Sequence, residues 1–494
     1  MKNTTKAVLC AGSAAVAAGL GVNIAKAVKL KPAKKDAVEI PAEHVDLERY
    51  KKNLSDAIRI PTVSDRDHDK VDWAQFEKFR AFLEERYPLF HKAFSKEVVS
   101  DASLLYYMPG SDPSLDPIAM IAHQDVVPIT PGTEQDWKYD PFGGVEAEGC
   151  IWGRGAIDMK NHLIAVMESI ETLLEEGWQP VRGVYVLLGH NEENMMHHES
   201  GAAYISRELE ARGVHLEALM DEGGAVLEAR VKGLLDVNVI GVGIAEKGQA
   251  DIEITLKGKG GHSSQPPMHN ALGRMADVIK DLEDHQFKSE FTPLLEELFM
   301  RPAVKGTLPV RMVAANLKAL RPALTFALSK IPLAAGIVRT TTAVTMAQGS
   351  PAPNVLPQKA SINVNFRMMP GTSTKDVIDH IRKVVKNKDI ELRVVKTKEP
   401  SRVSPIDTKA FHMIEEIYSA NPKNVVIPYL VFGGTDSYLY EPVCENIYKY
   451  SPFRLSVELL ANTHGTNERI PIDCMEEAVA FFKRYVRGMT ASSE

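Results

Sequence analysis

The chain has 494 residues, a net charge of −7, 44% apolar residues and 25% charged residues. That length is too great for one compact core, so two or more domains are expected. The acidic balance gives no electrostatic case for nucleic acid as a partner. The four cysteines (Cys10, Cys150, Cys444, Cys474) form no C-x-x-C pair, so they make neither a disulfide framework nor a thiolate metal site.

Residues 1–45 read as an apolar segment followed by a linker. Lys6 and Lys26 bracket nineteen uncharged residues, Ala7 to Ala25, of which ten are Ala or Gly. Such a stretch fits a signal peptide, a weak membrane anchor or a loosely ordered tail. Location therefore stays open, with the cytoplasm among the options. The Lys-, Pro- and Ala-rich run from Lys29 to Val45 reads as a linker.

Residues 46–245 alternate helical and strand patterns. The stretch from Asp46 to Phe94 is helical, with breaks at Ile60-Pro61 and around Ser64 to Asp69. Leu104–Tyr107, Ile118–Ala122, Val184–Leu188 and Ala218–Met220 are short apolar runs of the buried-strand type. Between them, Leu163, Val166, Ile170 and Leu173 keep helical spacing over Asn161 to Glu176, and Gly177 ends that helix. This alternation predicts an α/β domain with a mostly parallel sheet. Residues 246–371 differ. Ala250–Leu256 and Ala360–Met368 alternate apolar and polar side chains, as strands with one wet face do, and they flank helical segments. They predict an inserted α+β domain, after which residues 372–490 return to the first domain.

Within the insertion, Val313, Leu317, Leu320, Leu324, Leu328 and Ile331 recur at near-helical spacing. Pro322 and Pro332 are expected to break this stretch into short helices. The stripe suits either burial inside the module or at a dimer interface, or one wall of a groove for an apolar acyl chain.

Acidic and histidine positions carry the chemistry. His123 and Asp125 stand two apart at a predicted strand end, so both face one side, as an imidazole ligand and a carboxylate orienting it would. Asp158 follows Gly153-Arg154-Gly155, where tight backbone approach allows a carboxylate to be shared between two metals. Glu192 and Glu193 follow a strand. Adjacent residues there diverge, so one can bind metal while the other serves as base. His190, His197 and His198 flank that pair at uneven spacing and read as solvent-facing loop residues. Asp221-Glu222 precedes two glycines, and His464 sits in a polar turn. Taken singly, each is more often structural. Together they supply two imidazoles and several carboxylates in strand-end positions, which suits a pair of zinc ions.

At these residues the chain resembles the di-zinc amidohydrolase and metallopeptidase superfamily of carboxypeptidase S, aminoacylase, acetylornithine deacetylase and succinyl-diaminopimelate desuccinylase. The resemblance runs from about residue 50 to 485. It rests on W-x-x-D-P-F at Trp137 to Phe142, G-R-G-A-I-D-M-K at Gly153 to Lys160, G-G-H-S-S at Gly260 to Ser264, N-V-L-P at Asn354 to Pro357 and N-F-R at Asn365 to Arg367. F-G-G-T-D-S at Phe432 to Ser437 and R-T-T-T-A at Arg339 to Ala343 place it nearest the branch of carboxypeptidase S and N-fatty-acyl-amino-acid hydrolases.

The resemblance implies a zinc-peptidase-like catalytic domain with an inserted lid or dimerisation domain. It implies hydrolysis of an amide bond next to a free carboxylate, either a C-terminal peptide bond or an N-acyl amino acid, with two zinc ions, for which cobalt or manganese can substitute. Asp158 would bridge the metals, His123 and Asp221 (or Glu222, since branches differ) would complete one site, and Glu193 and His464 the other. Glu192 would be the general base and Asp125 would orient His123. His262 would stabilise the oxyanion, in one arrangement across a homodimer. Asn354 and Arg367 would hold the substrate carboxylate. A cis peptide is implied after Asp158. Asn191 stands where the family usually has Asp. The rival readings are a dipeptidase or aminopeptidase of the same fold and a metal- or peptide-binding protein without turnover.

Overall fold

The computed structural model describes residues 26–30, 41–194 and 197–492. The apolar segment 7–25 lies outside them, and no helix among the described residues is long and apolar enough to cross a membrane. Helix α1 (Leu47–Ile58) starts at Asp46, whose side chain accepts from Arg49 N–H. It leads into strands β1 (Ser95–Val99), β2 (Ser103–Met108) and β3 (Ile118–His123). Helix α2 (Lys160–Glu175) carries the apolar spacing noted above, and Gly177 follows it with φ +79°. Strands β4 (Val184–Gly189), β5 (Ala218–Asp221), β6 (Ala225–Val231) and β7 (Leu235–Glu246) come next.

The inserted domain opens with strand β8 (Gly248–Lys257) and helix α3 (Ala271–Asp284). Four shorter helices follow: α4 (Pro293–Ala303), α5 (Leu308–Ala315), α6 (Leu317–Leu328) and α7 (Pro332–Val338). Then come β9 (Thr341–Gln348), β10 (Lys359–Met368), helix α8 (Thr374–Val384) and β11 (Glu391–Lys398). The chain returns through β12 (Asn424–Val431) and β13 (Ile447–Lys449) and ends with helix α9 (Met475–Thr490).

The large sheet is mixed, in the order β1-β2-β4-β3-β5-β13-β7-β12, with β6 paired to β7. Its centre is parallel as expected: β3 runs with β4 and β5, and β5 with β13. β12 also runs parallel to β7. The β1-β2-β4 side is antiparallel, as are the β6-β7 hairpin and the β13-β7 contact. Every residue of β3 and β4 is buried, which explains their unbroken apolar runs. One large core joins α1, α2 and α9 to one face of this sheet.

The second sheet is antiparallel, in the order β9-β10-β8-β11, with α3 and α8 over one face. It moves the domain boundary. The insertion was expected to end at 371, yet α8 and β11 belong to it, and β11 pairs with β8 from Gln249 to Thr255. The return to the first domain therefore comes near residue 400. Both edge strands, β9 and β11, are largely exposed. They lack the alternation that marked β8 and β10.

The helices within the insertion leave its sheet: α4 packs on β12 and β7 of the large sheet. Pro332 opens α7, as expected of a helix start. Pro322, in contrast, lies inside α6 rather than breaking it. Pro322 is exposed, so water can meet the carbonyl that its missing N–H leaves unpaired.

The two chain crossings between the domains meet at Glu246. Its N–H donates to Ser401 Oγ at 2.7 Å, and a Cβ on Gly248 would lie 2.6 Å from Pro400 N. Only glycine fits there. The buried Glu246 carboxylate takes Lys398 Nζ at 2.5 Å, Thr435 Oγ1 at 2.9 Å and Ser437 Oγ at 3.2 Å, with Lys449 Nζ at 3.7 Å. Burial opposes its charge, but Lys398 and Lys449 hold its pKa below the ordinary value. Its contribution to stability is therefore present at neutral pH and is lost as pH falls through the depressed value. Glu246→Leu strands two buried ammonium groups and should cost about 3–5 kcal/mol. Arg393→Ala, which removes an exposed partner of Glu253, should cost about 1 kcal/mol or less. Denaturation midpoints followed by circular dichroism compare the two, and equal midpoints would remove Glu246 from the role of domain tie.

Candidate active site

His123 ends β3 on the sheet's carboxyl edge and is buried. Its Nε2 lies 3.1 Å from Asp158 Oδ1 and 3.3 Å from Glu222 Oε1. Its Nδ1 faces the other way, 3.3 Å from Asp125 Oδ1 and 3.0 Å from the Asp125 carbonyl. Asp125 can thus hold Nδ1 protonated and leave Nε2 free as a ligand.

Asp158 precedes α2 at a cis peptide to Met159. Its second oxygen, Oδ2, lies 3.0 Å from His464 Nε2, and that nitrogen is 3.1 Å from Glu193 Oε2. The two oxygens of one carboxylate therefore address two different imidazoles, as a carboxylate shared between two cations must. His464 reaches this point from a turn in which its own φ is +62°.

Glu192 and Glu193 occupy a single 3-10 turn rather than extended backbone. Their N–H groups donate to Asp125 Oδ1 and Oδ2, each at 3.1 Å. Ser64 Oγ adds a third donor to Asp125, at 2.6 Å. Sequence reading gave Asp125 one task, orienting His123; it also fixes the turn that presents both glutamates.

Asp221 is not brought to the cluster. Its oxygens accept from Glu222 N–H at 2.8 Å and Ser437 N–H at 3.2 Å, while the Glu222 side chain turns to His123. Of the two alternatives at this position, Glu222 is the one whose carboxylate lies beside His123 Nε2. His190 is also placed differently from expectation. It is buried, bonded through Nδ1 to Ser103 Oγ at 2.7 Å and packed against Trp73 and Phe76. His198 is exposed as expected, and the His197 side chain lies outside the described residues.

Two supporting residues escaped the sequence reading. Glu468 is fully buried, and its Oε1 accepts from the N–H groups of Gly155, Ile157 and Asp158 at 2.8–3.1 Å. Its Oε2 takes Arg154 Nη1 at 2.5 Å, and Arg154 Nη2 donates to the carbonyls of His464 and Gly465 at 3.1 Å. The available signal was Arg154 itself, a charged residue between two glycines.

The electrostatics fit a cation. Potential ligand atoms of His123, Glu192 and Glu222 lie within 4.8 Å of one another, as do those of His123, Asp158 and Glu193. Burial, with neighbouring carboxylates, drives Glu192 and Glu222 well above the carboxylate range and raises Glu193. Hydrogen bonds to Asp158 and Glu193 push His464 up to about 10. Carboxylates crowded in this way are relieved by a divalent cation, which takes the place of bound protons. Glu193 Oε1 is buried and has no hydrogen-bond partner among the described residues, which is what an acceptor reserved for a metal looks like.

The other predicted residues lie in the inserted domain. His262 and Val355 pair in a short two-stranded ladder, and Ser263 N–H donates to the Asn354 carbonyl at 3.0 Å. G-G-H-S-S and N-V-L-P, far apart in sequence, are thus one structural unit. His262 and Asn354 are exposed, and Arg367 is half-buried in β10. No hydrogen bond or ion pair joins these three to the acid cluster among the described residues.

The sequence profile of peptidase family M20/M25/M40 matches residues 119–488. The chain belongs to that family. Among M20 relatives it is similar to the N-fatty-acyl-amino acid synthase/hydrolase PM20D1 of Xenopus tropicalis, with 34% identity over 443 residues, 88% of this chain and 85% of that one. Carboxypeptidase S of Saccharomyces cerevisiae is 30% identical over 482 residues, 88% of this chain and 83% of that one. Among solved structures, the M20 family metallo-carboxypeptidase Sso-CP2 from Sulfolobus solfataricus shares the fold with a TM-score of 0.63 at 19% identity, covering 89% of this chain and 98% of that one. These relatives represent the branch that the motifs pointed to. The chain is a metal-dependent hydrolase of amide bonds.

The adjacent glutamates separate by substitution. Glu193→Gln and Glu222→Gln should lower bound metal, measured by elemental analysis. Glu192→Gln should keep metal near the wild-type level while kcat falls about 100-fold or more. A Glu192→Gln enzyme retaining over a tenth of its activity would remove that residue from the role of base.

Proposed function

We propose that this enzyme cleaves N-acyl amino acids carrying a long apolar acyl chain, using two divalent ions, zinc in the first instance. The observation that carries the reading is an apolar cavity of about 370 Å³ whose wall begins at Gly224, two residues after Glu222. Leu227, Val239, Leu298, Ile337 and Phe432 contribute to its lining. Its size falls in the ordinary range for small-molecule sites. The PM20D1 relatives carry fatty-acyl amino acids in their name.

His123, Asp158, Glu193, Glu222 and His464 would hold the ions. Bound there, the ions would polarise the amide carbonyl and make a water molecule acidic. Glu192 would take the proton from that water and pass it to the leaving amine. Asp125 would keep His123 and the Glu192 turn in register, so that base and carbonyl meet without rearrangement. Asn354 and Arg367, in the inserted domain, would bind the carboxylate of the amino acid, Arg367 through its planar fork. His262, on the same unit as Asn354, would stabilise the developing oxyanion.

The second reading is a carboxypeptidase acting on short peptides, as the name of the yeast relative suggests. The same ions, base and carboxylate site would serve it, and the cavity would then accept an apolar side chain. A series of N-acyl derivatives of one amino acid separates the two. Each buried methylene adds up to about 0.8 kcal/mol, or about fourfold in kcat/KM. The acyl reading expects a steady climb from N-acetyl to long chains. A flat series, with dipeptides cleaved faster, would favour the carboxypeptidase.

A further inference from the structure

We propose that helices α5, α6 and α7 form a face that docks on an anionic lipid surface. The first observation is the inverted exposure of α6. Its exposed positions are Lys318, Ala319, Pro322, Ala323, Phe326 and Ala327, which recur with the period of one helical face. Leu317 and, in part, Leu320, Leu324 and Leu328 occupy the other side. A helix of a soluble domain normally turns charge outward; here the outward face is apolar between Lys318 and Lys330. Phe326 is 67% exposed, Ile331 52% and Val313 50%. Three large apolar side chains are thus exposed within twenty residues of chain, on or beside consecutive helices.

The second observation is charge. Over α5 to α7, from Leu308 to Val338, the chain contains no Asp or Glu and four Lys or Arg, although its net charge is −7. Arg301 and Arg321 spend their charge on Glu297, Glu415 and Glu296. Lys318 and Lys330 are exposed, and Lys330 Nζ sits 5.3 Å over the Phe326 ring. Glu283 and Asp284 lie near Lys330, but so do Lys288, Arg339 and Lys383; a cation beside an outward aromatic, in a run of chain without Asp or Glu, is the pattern of a helix lying in a membrane interface. A second copy of the chain could cover an apolar face, but the concentration of positive charge favours an anionic surface, because two such faces would repel each other.

The proposal does not depend on which amide is cut. The test uses the full-length, metal-loaded enzyme in co-sedimentation with vesicles of phosphatidylcholine alone or mixed with phosphatidylserine. The wild type should bind the phosphatidylserine vesicles more tightly, and salt should weaken that binding. Phe326→Asp with Ile331→Asp should lower partitioning at least tenfold, while hydrolysis of an N-acetyl amino acid and thermal melting stay at wild-type values. Lys318→Ala with Lys330→Ala should lower it on the phosphatidylserine vesicles alone, by about fivefold or more. Any of three results would overturn the proposal: no wild-type binding to either vesicle; equal binding by the aspartate variant, which would assign it to the N-terminal segment; or a wild-type dimer, without vesicle binding, that Phe326→Asp dissociates.

Discussion

Asp125 is fully buried, and its two oxygens meet the hydroxyl of Ser64, the N–H groups of Glu192 and Glu193, and the imidazole of His123. One carboxylate thereby ties three separate segments together. Two consecutive backbone N–H groups aimed at one anion form a compact positive concavity. Burial alone would favour a neutral acid, yet the His123 imidazole and the Ser64 hydroxyl hold the Asp125 carboxyl below its ordinary pKa. Glu468 does the corresponding work on the other side, joining the Asp158 loop to the His464 turn through Arg154. The acids that face the centre can therefore be crowded and frustrated, because the acids behind them are satisfied. Loss of either supporting carboxylate would misplace several groups at once.

How legible this was in the sequence depended on burial. Ile118–His123 and Val184–Gly189 are buried on both faces, so their apolar runs stood out, and the chemistry at their ends was legible with them. β8 and β10 bury one face and alternate accordingly. β9 and β11 are sheet edges, where solvent imposes no pattern on either face, and missing them put the end of the inserted domain too early. At the site, the motifs marked segments that the fold brings together, but not the direction of each side chain. Asp221 and Glu222 are adjacent carboxylates, and it is the N–H groups of Glu222 and Ser437 that engage Asp221 elsewhere. His190 read as a loop residue because its spacing from His197 and His198 is uneven; its burial against Trp73 and Phe76 arises from contacts over a hundred residues away in sequence.

The insertion is less independent than a lid on a single stalk. Its sheet is covered by α3 and α8, but its middle helices go back to the first domain, where α4 lies against β12. Lys247 Nζ donates to the carbonyls of Gly336 and Arg339, so the end of α7 is fastened beside the Glu246 crossing. Polar ties at the crossings and apolar packing on β12 thus act on the same relative placement of the two domains.

The apolar cavity belongs to both domains. Leu227, Val239 and Tyr429 come from the large sheet, while Ile337 and Met369 come from the insertion. A chain-like ligand lying between these two walls would make dispersion contacts with both at once. By linkage, whatever free energy it gains from the closed arrangement over any other is free energy added to the cohesion of the domains. Occupancy of the cavity and rigidity of the enzyme would then be one equilibrium seen from two ends.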